Sequence, residues 1–180
     1  MIPAVESSMV ATAVAALTYY LAGWYSTPAS EILPGRLWVG NIAGAWAAES
    51  LAGVGITHIV CATQFGRAAV FHPDRFLYHV VTVQDDVDQN MQPYFDETAE
   101  FIDRALQANG RVFVHCNQGR SRSVTLAAAY LMRYERKTVA QALETITSKR
   151  AIACPNPAFL QQLRAYETSL AHPVARAAVP

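Results

Sequence analysis

The chain is short of the residues that mark several large classes of protein. Three cysteines in 180 residues, Cys61, Cys116 and Cys154, are too few and too scattered for a disulfide scaffold or a cysteine-built zinc site. A reducing compartment, cytoplasmic or nuclear, is the expectation. Neither sign of charge is in surplus, because fourteen basic side chains balance fourteen acidic ones. General nucleic-acid binding needs an electrostatic excess, so the composition argues against it. Lysine is nearly missing, with two against twelve arginines. No internal repeat or low-complexity tract is present. What remains is an ordinary globular composition, 52% apolar and 16% charged, enough for one domain with a short extension.

Between Glu6 and Glu31 there is no charged residue, and residues 9–25 are mostly apolar. Met9, Val10, Ala13, Val14, Leu17, Tyr20, Leu21 and Trp24 recur at helical spacing, and the face opposite is smaller and weaker. Three readings stand: a helix docked on the domain, a membrane anchor, or a cleaved signal. The run is shorter than the about 20 strongly apolar residues of a spanning helix. The first basic residue is Arg36, so a signal would lack its basic leader. The docked helix is therefore preferred, with membrane contact through it as the lesser reading. Thr27-Pro28-Ala29-Ser30 reads as a linker. The expected organisation is residues 1–29 as helix and linker, 30–170 as the main domain, and 171–180 as a flexible tail. Either a monomer or a homodimer is compatible with it.

Apolar runs at residues 37–39, 58–61, 77–83 and 111–114 predict short strands. A short helix is expected over 45–51. Tyr94, Thr98, Phe101, Ile102 and Ala105 share one helical face, which Asn109-Gly110 ends. Residues 124–132 are apolar all round, as in a helix buried mid-domain. Two amphipathic helices follow, one on Val139, Ala142, Leu143 and Ile146, the other on Phe159, Leu160, Leu163, Tyr166 and Leu170. Strands alternating with helices predict an α/β fold whose mostly parallel sheet is covered on both faces.

Between the 111–114 strand and the buried helix lies His115-Cys116-Asn117-Gln118-Gly119-Arg120-Ser121-Arg122-Ser123. A His-Cys-x5-Arg string arises by chance in fewer than about one such chain in a hundred. A strand–loop–helix junction aims loop amides and the positive end of the helix dipole at one point, which makes an anion site. Gly119 permits the tight turn, and Arg122 can fork two N–H donors onto a phosphoryl group. Asn117, Gln118, Gly119, Arg120 and Ser121 would line that cradle. Cys116 sits inside it, so its pKa should fall below the free value of about 8.5, giving a nucleophile without a metal or other cofactor. Ser123 is placed to stabilise the departing thiolate, and His115 is expected to order the loop by hydrogen bonding. A proton donor for the leaving oxygen is also needed. The acidic cluster after the 77–83 strand should face the same sheet edge. Asp85 is the first choice and Asp86 the second.

These residues resemble those of the cysteine-based phosphatases, most closely the dual-specificity group, over about residues 32–166. The Cys116 to Arg122 loop with its Ser121-Arg122-Ser123 ending anchors the likeness. Val39-Gly40-Asn41, Gly55-Ile56-Thr57-His58, Tyr94-Phe95 and Pro155-Asn156-Pro157 before Phe159-Leu160 support it. In that family the catalytic Asp lies five residues before an Asn or Asp with an apolar follower, and Asn90-Met91 selects Asp85. The resemblance implies a cysteine-phosphatase fold and a two-step reaction through phosphocysteine on a phosphoprotein substrate. It assigns Cys116 as nucleophile, Arg122 as phosphate binder, and Asp85 as acid then base. Gln118 and Arg120 depart from the usual pattern. Arg120 favours, as an alternative, a phosphoinositide or phosphatidylglycerophosphate phosphatase. An inactive phosphopeptide-binding module is the other alternative, which the presence of both Cys116 and Arg122 opposes.

Overall fold

The computed structural model describes residues 27–171. The predicted N-terminal helix and residues 172–180 lie outside them. A five-stranded sheet forms the centre, in the spatial order β1-β2-β5-β3-β4. Its strands are β1 (Ala29–Leu33), β2 (Leu37–Gly40), β3 (His58–Thr63), β4 (Leu77–Thr82) and β5 (Val112–His115). β2, β5, β3 and β4 pair in parallel, and β1 runs antiparallel to β2. The helices are α1 (Ile42–Trp46), α2 (Ala48–Gly53), α3 (Gln92–Gln107), α4 (Arg122–Arg133), α5 (Val139–Thr147) and α6 (Pro157–Ala171).

The short apolar runs become central strands because both of their faces find cover. In β5, Val112 and Val114 point into the larger core while Phe113 points into the smaller one. β3 does the same, with Val60 and Ala62 on one side and Ile59 on the other. The larger core lies under α3, α4, α5 and α6, and the smaller one packs Ala45, Ala48 and Leu51 from α1 and α2 against the sheet. α4 is apolar all round because it is surrounded, by β5 and β3 beneath and by α3, α5 and α6 beside it. Each large side chain buried here contributes roughly 1.5–3 kcal/mol.

Four local features differ from the sequence expectation. The presumed linker at 27–30 already contains strand: β1 begins at Ala29 and pairs Ser30 with Val39. Only Ser30 and Ile32 of β1 face inward, so its alternation carries little apolar signal. The single helix expected at 45–51 is two helices broken at Ala47, whose φ of −81° and ψ of 64° leave the helical region. β4 is an edge strand with Leu77 63% exposed, not a fully covered one. The last helix runs to Ala171, one residue into the expected tail. Among the described residues, no helix is long and apolar enough to cross a membrane.

Candidate active site

β5 delivers His115 to the carboxyl edge of the sheet, and the chain then curls into a loop before α4. Gly119 turns this loop with a φ of +66°, and a Cβ there would fall 2.5 Å from the Gly40 carbonyl. Only glycine meets both demands. Gly40 is constrained in turn, since a Cβ on it would strike the Pro28 carbonyl and the Phe113 ring. The Val39-Gly40-Asn41 sequence thus ends its strand in direct contact with the loop.

The Cys116 sulfur lies at the centre of the curl, fully buried. It accepts the Gly119 amide at 3.2 Å and lies 3.3 Å from the Ser123 hydroxyl. Burial by itself raises a thiol's pKa. Here the Arg122 guanidinium, the Ser123 hydroxyl and the Ser123 and Arg120 amides outweigh it and hold Cys116 below its ordinary value. The surroundings therefore favour the thiolate form of the sulfur.

Ser121 stands at the N-cap position of α4, where a serine normally caps its own helix. It makes no such cap. Its hydroxyl instead donates to Asp85 Oδ1 at 2.7 Å and accepts the Asn156 amide at 3.2 Å. The first turn of α4 so keeps its amides free of the Ser121 side chain, which leaves them to Cys116 and to an oxyanion. Arg122 crosses beneath, its NH1 donating to the Val83 carbonyl at 3.1 Å and to Gln64 Oε1 at 2.9 Å. Its buried Nε makes no hydrogen bond and lies 3.7 Å from Asp85 Oδ2. The guanidinium is thus anchored by NH1, while Nε has no hydrogen-bond partner among the described residues.

The structure brings Cys116, Arg122, Ser123, Ser121 and Asp85 together. Asp85 lies on the rim, partly open to solvent, and Asp86 lies outside the cluster, holding the Asp88 amide at 2.9 Å. Neither of the buried ring nitrogens of His115 reaches a hydrogen-bond partner among the described residues. The ring stacks on Phe113 at 5.7 Å, and burial pushes its pKa down to about 4. It lies beneath the loop as a neutral side chain packed on Phe113.

Three residues escaped the sequence reading. Asn156 donates to Asp85 Oδ1 at 3.0 Å while its Oδ1 accepts the Phe159 amide at the start of α6. Gln64 meets Arg122 and, at 3.4 Å, the Asn117 amide group. Arg150 reaches two carbonyls of the loop. Asn156 had a signal in Pro155-Asn156-Pro157, but its partner is 71 positions away. Gln64 and Arg150 had none.

The Cys61 sulfur makes its contacts away from the Cys116 sulfur. Cys61 pairs in register with His115, and its sulfur turns toward the Gly66 and Ala69 carbonyls at 4.0 and 3.8 Å. Burial pushes its pKa up to about 11. Cys154 is exposed.

A sulfur whose thiolate form is favoured by loop amides and an arginine, with a carboxyl group on the rim beside it, is equipped to take a phosphoryl group and then release it. The class is that of the cysteine-based phosphatases. The dual specificity phosphatase catalytic domain family matches residues 37–169, and the chain belongs to that family. Dual specificity protein phosphatase 1 of Arabidopsis thaliana is 45% identical over 134 residues, covering 74% of this chain and 67% of the relative. Human DUSP28 is 32% identical and superposes with a TM-score of 0.74 over 81% of this chain and 96% of that one. A mouse putative dual specificity phosphatase, solved with zinc tungstate, is 31% identical with a TM-score of 0.75, over 79% and 88% of the two chains.

Proposed function

We propose that this enzyme hydrolyses phosphotyrosine and phosphoserine or phosphothreonine in proteins through a phosphocysteine intermediate. The observation that carries the reading is the Cys116 sulfur held between the Gly119 amide and the Ser123 hydroxyl, with Arg122 and Asp85 at the same loop. The thiolate attacks phosphorus, the bond to the ester oxygen breaks, and Asp85 gives that oxygen its proton. Water then attacks the phosphocysteine, Asp85 takes a proton from it, and the S–P bond breaks. The Ser123 hydroxyl receives the returning thiolate, and inorganic phosphate leaves. Arg122 and the loop amides stabilise the equatorial oxygens in both steps.

Two exposed apolar side chains, Phe65 and Val87, adjoin Gln64 and the Asp85 loop, and they suit the flanks of a phosphopeptide. The reducing cytoplasm or nucleus would keep Cys116 reduced. Turnover of a phosphotyrosine peptide, a phosphothreonine peptide and a short-chain phosphoinositide, by the natural enzyme and by Cys116→Ser, tests the proposal. Both peptides should be hydrolysed, and Cys116→Ser should lose turnover yet still bind them. Phosphoinositide turnover far above that of the peptides, or persistence of activity in Cys116→Ser, would overturn it.

A further inference from the structure

The phosphate loop can act only if its amides point inward, and the outward carbonyls are held from outside the loop. In a planar trans peptide the carbonyl of one residue and the N–H of the next point in opposite directions. Holding each carbonyl outward therefore turns the following amide in. The structure does this four times in succession. The Ile42 amide holds the Asn117 carbonyl at 3.2 Å, and the Cys154 amide holds that of Arg120 at 2.8 Å. The two carbonyls between them belong to one side chain: Arg150 Nε donates to Gly119 at 2.6 Å and NH2 donates to Gln118 at 3.2 Å. The amides that follow, of Gly119 and Arg120, are two of those that stabilise the Cys116 anion.

Arg150 is only 2% exposed and makes no ion pair with a carboxylate among the described residues. Burying such a charge without a carboxylate is costly. Its NH1 donates to the Thr27 carbonyl at 2.8 Å and to the Ser30 hydroxyl at 3.2 Å, so its far side grips the chain just before and within β1. Every nitrogen of the guanidinium is thus engaged by a fixed oxygen, an arrangement that needs the flat five-donor fork of arginine.

We propose that Arg150 is a positioning residue that holds the Gly119 and Arg120 amides toward Cys116 by clamping the Gln118 and Gly119 carbonyls against the β1 segment. This rests on the reading of the loop as the phosphate cradle. The Cys116 thiolate responds to those amides directly, whereas a staple that merely held the α5–α6 connection would leave it unchanged.

The experiment uses the full chain with Arg150→Met and Arg150→Lys. The pH dependence of Cys116 alkylation by iodoacetamide is followed by mass spectrometry of its peptide, and tungstate is titrated as a competitive inhibitor. Arg150→Met should move the alkylation midpoint up by about one pH unit and weaken tungstate about tenfold or more. Arg150→Lys, which retains the charge but reaches fewer oxygens, should fall between it and the natural protein in both measurements. A folded Arg150→Met with the natural midpoint and tungstate affinity would overturn the proposal. If Arg150→Met does not fold, Arg150→Lys decides: natural values in both measurements would overturn the proposal equally. If the natural enzyme ignores phosphopeptides, the substrate reading falls, while alkylation and tungstate still judge Arg150.

Discussion

Asp85 is held by two neighbours that have no catalytic chemistry of their own. Ser121 and Asn156 both donate to its Oδ1, which leaves Oδ2 on the side of Arg122. Asp85→Asn should lower turnover of a phosphothreonine peptide about 10²–10³-fold, and much less for an aryl phosphate whose leaving group needs no proton. Asn156→Ala should give a smaller loss of the same substrate-dependent kind. Steady-state kinetics on the two substrates measures both, and the same pattern in Asp86→Asn would move the assignment by one residue. His115 yields a separate prediction. The unfolded chain takes up a proton near pH 6.5, while the buried ring resists protonation down to about 4. The unfolded state therefore binds more protons across that window, and stability falls as pH drops through it. Between pH 7 and pH 5 the loss should be about 2 kcal/mol. Urea unfolding of the natural protein and His115→Asn at both pH values would show it, as a steeper pH dependence in the former.

The loop between β5 and α4 is specified by what surrounds it as much as by its own letters. Gly119→Ala forces a β-carbon into the left-handed region and against the Gly40 carbonyl. It should cost about 1–3 kcal/mol of stability and most of the activity, read from thermal unfolding and an aryl phosphate assay. The sequence displayed the parts of this loop that local chemistry dictates: the glycine, the cysteine between strand and helix, and the arginine that opens the helix. It also displayed β3, β5 and α4, whose apolar runs can only be central elements. It concealed β1, where Pro28 precedes a strand with two inward residues, and the break at Ala47, which no glycine or proline marks. Asn156, Gln64 and Arg150 stayed hidden for another reason. Their partners at the site lie between 31 and 71 positions away, and those of Arg150 in the β1 segment 120 and 123, so only the fold brings them into contact.

Across the molecule, the sheet works as a partition. Cys116 belongs to the core under α4, whereas Cys61 faces the turn at residues 66–69 on the other side. Peroxide should therefore inactivate the enzyme by oxidising Cys116 without forming a bond to Cys61. Peptide mapping under non-reducing conditions checks this, and a Cys61–Cys116 bridge would contradict it. The ties on Asp85 have a consequence for motion. An acid carried on a swinging flap must wait for the flap to close, and closure is slowed by friction with the solvent. Here the acid is latched beforehand to the rim it serves, by Ser121 on one flank and Asn156 on the other. Single-turnover chemistry in sucrose or glycerol should then run at the same pace as in water, because no large piece of protein has to travel before the proton does.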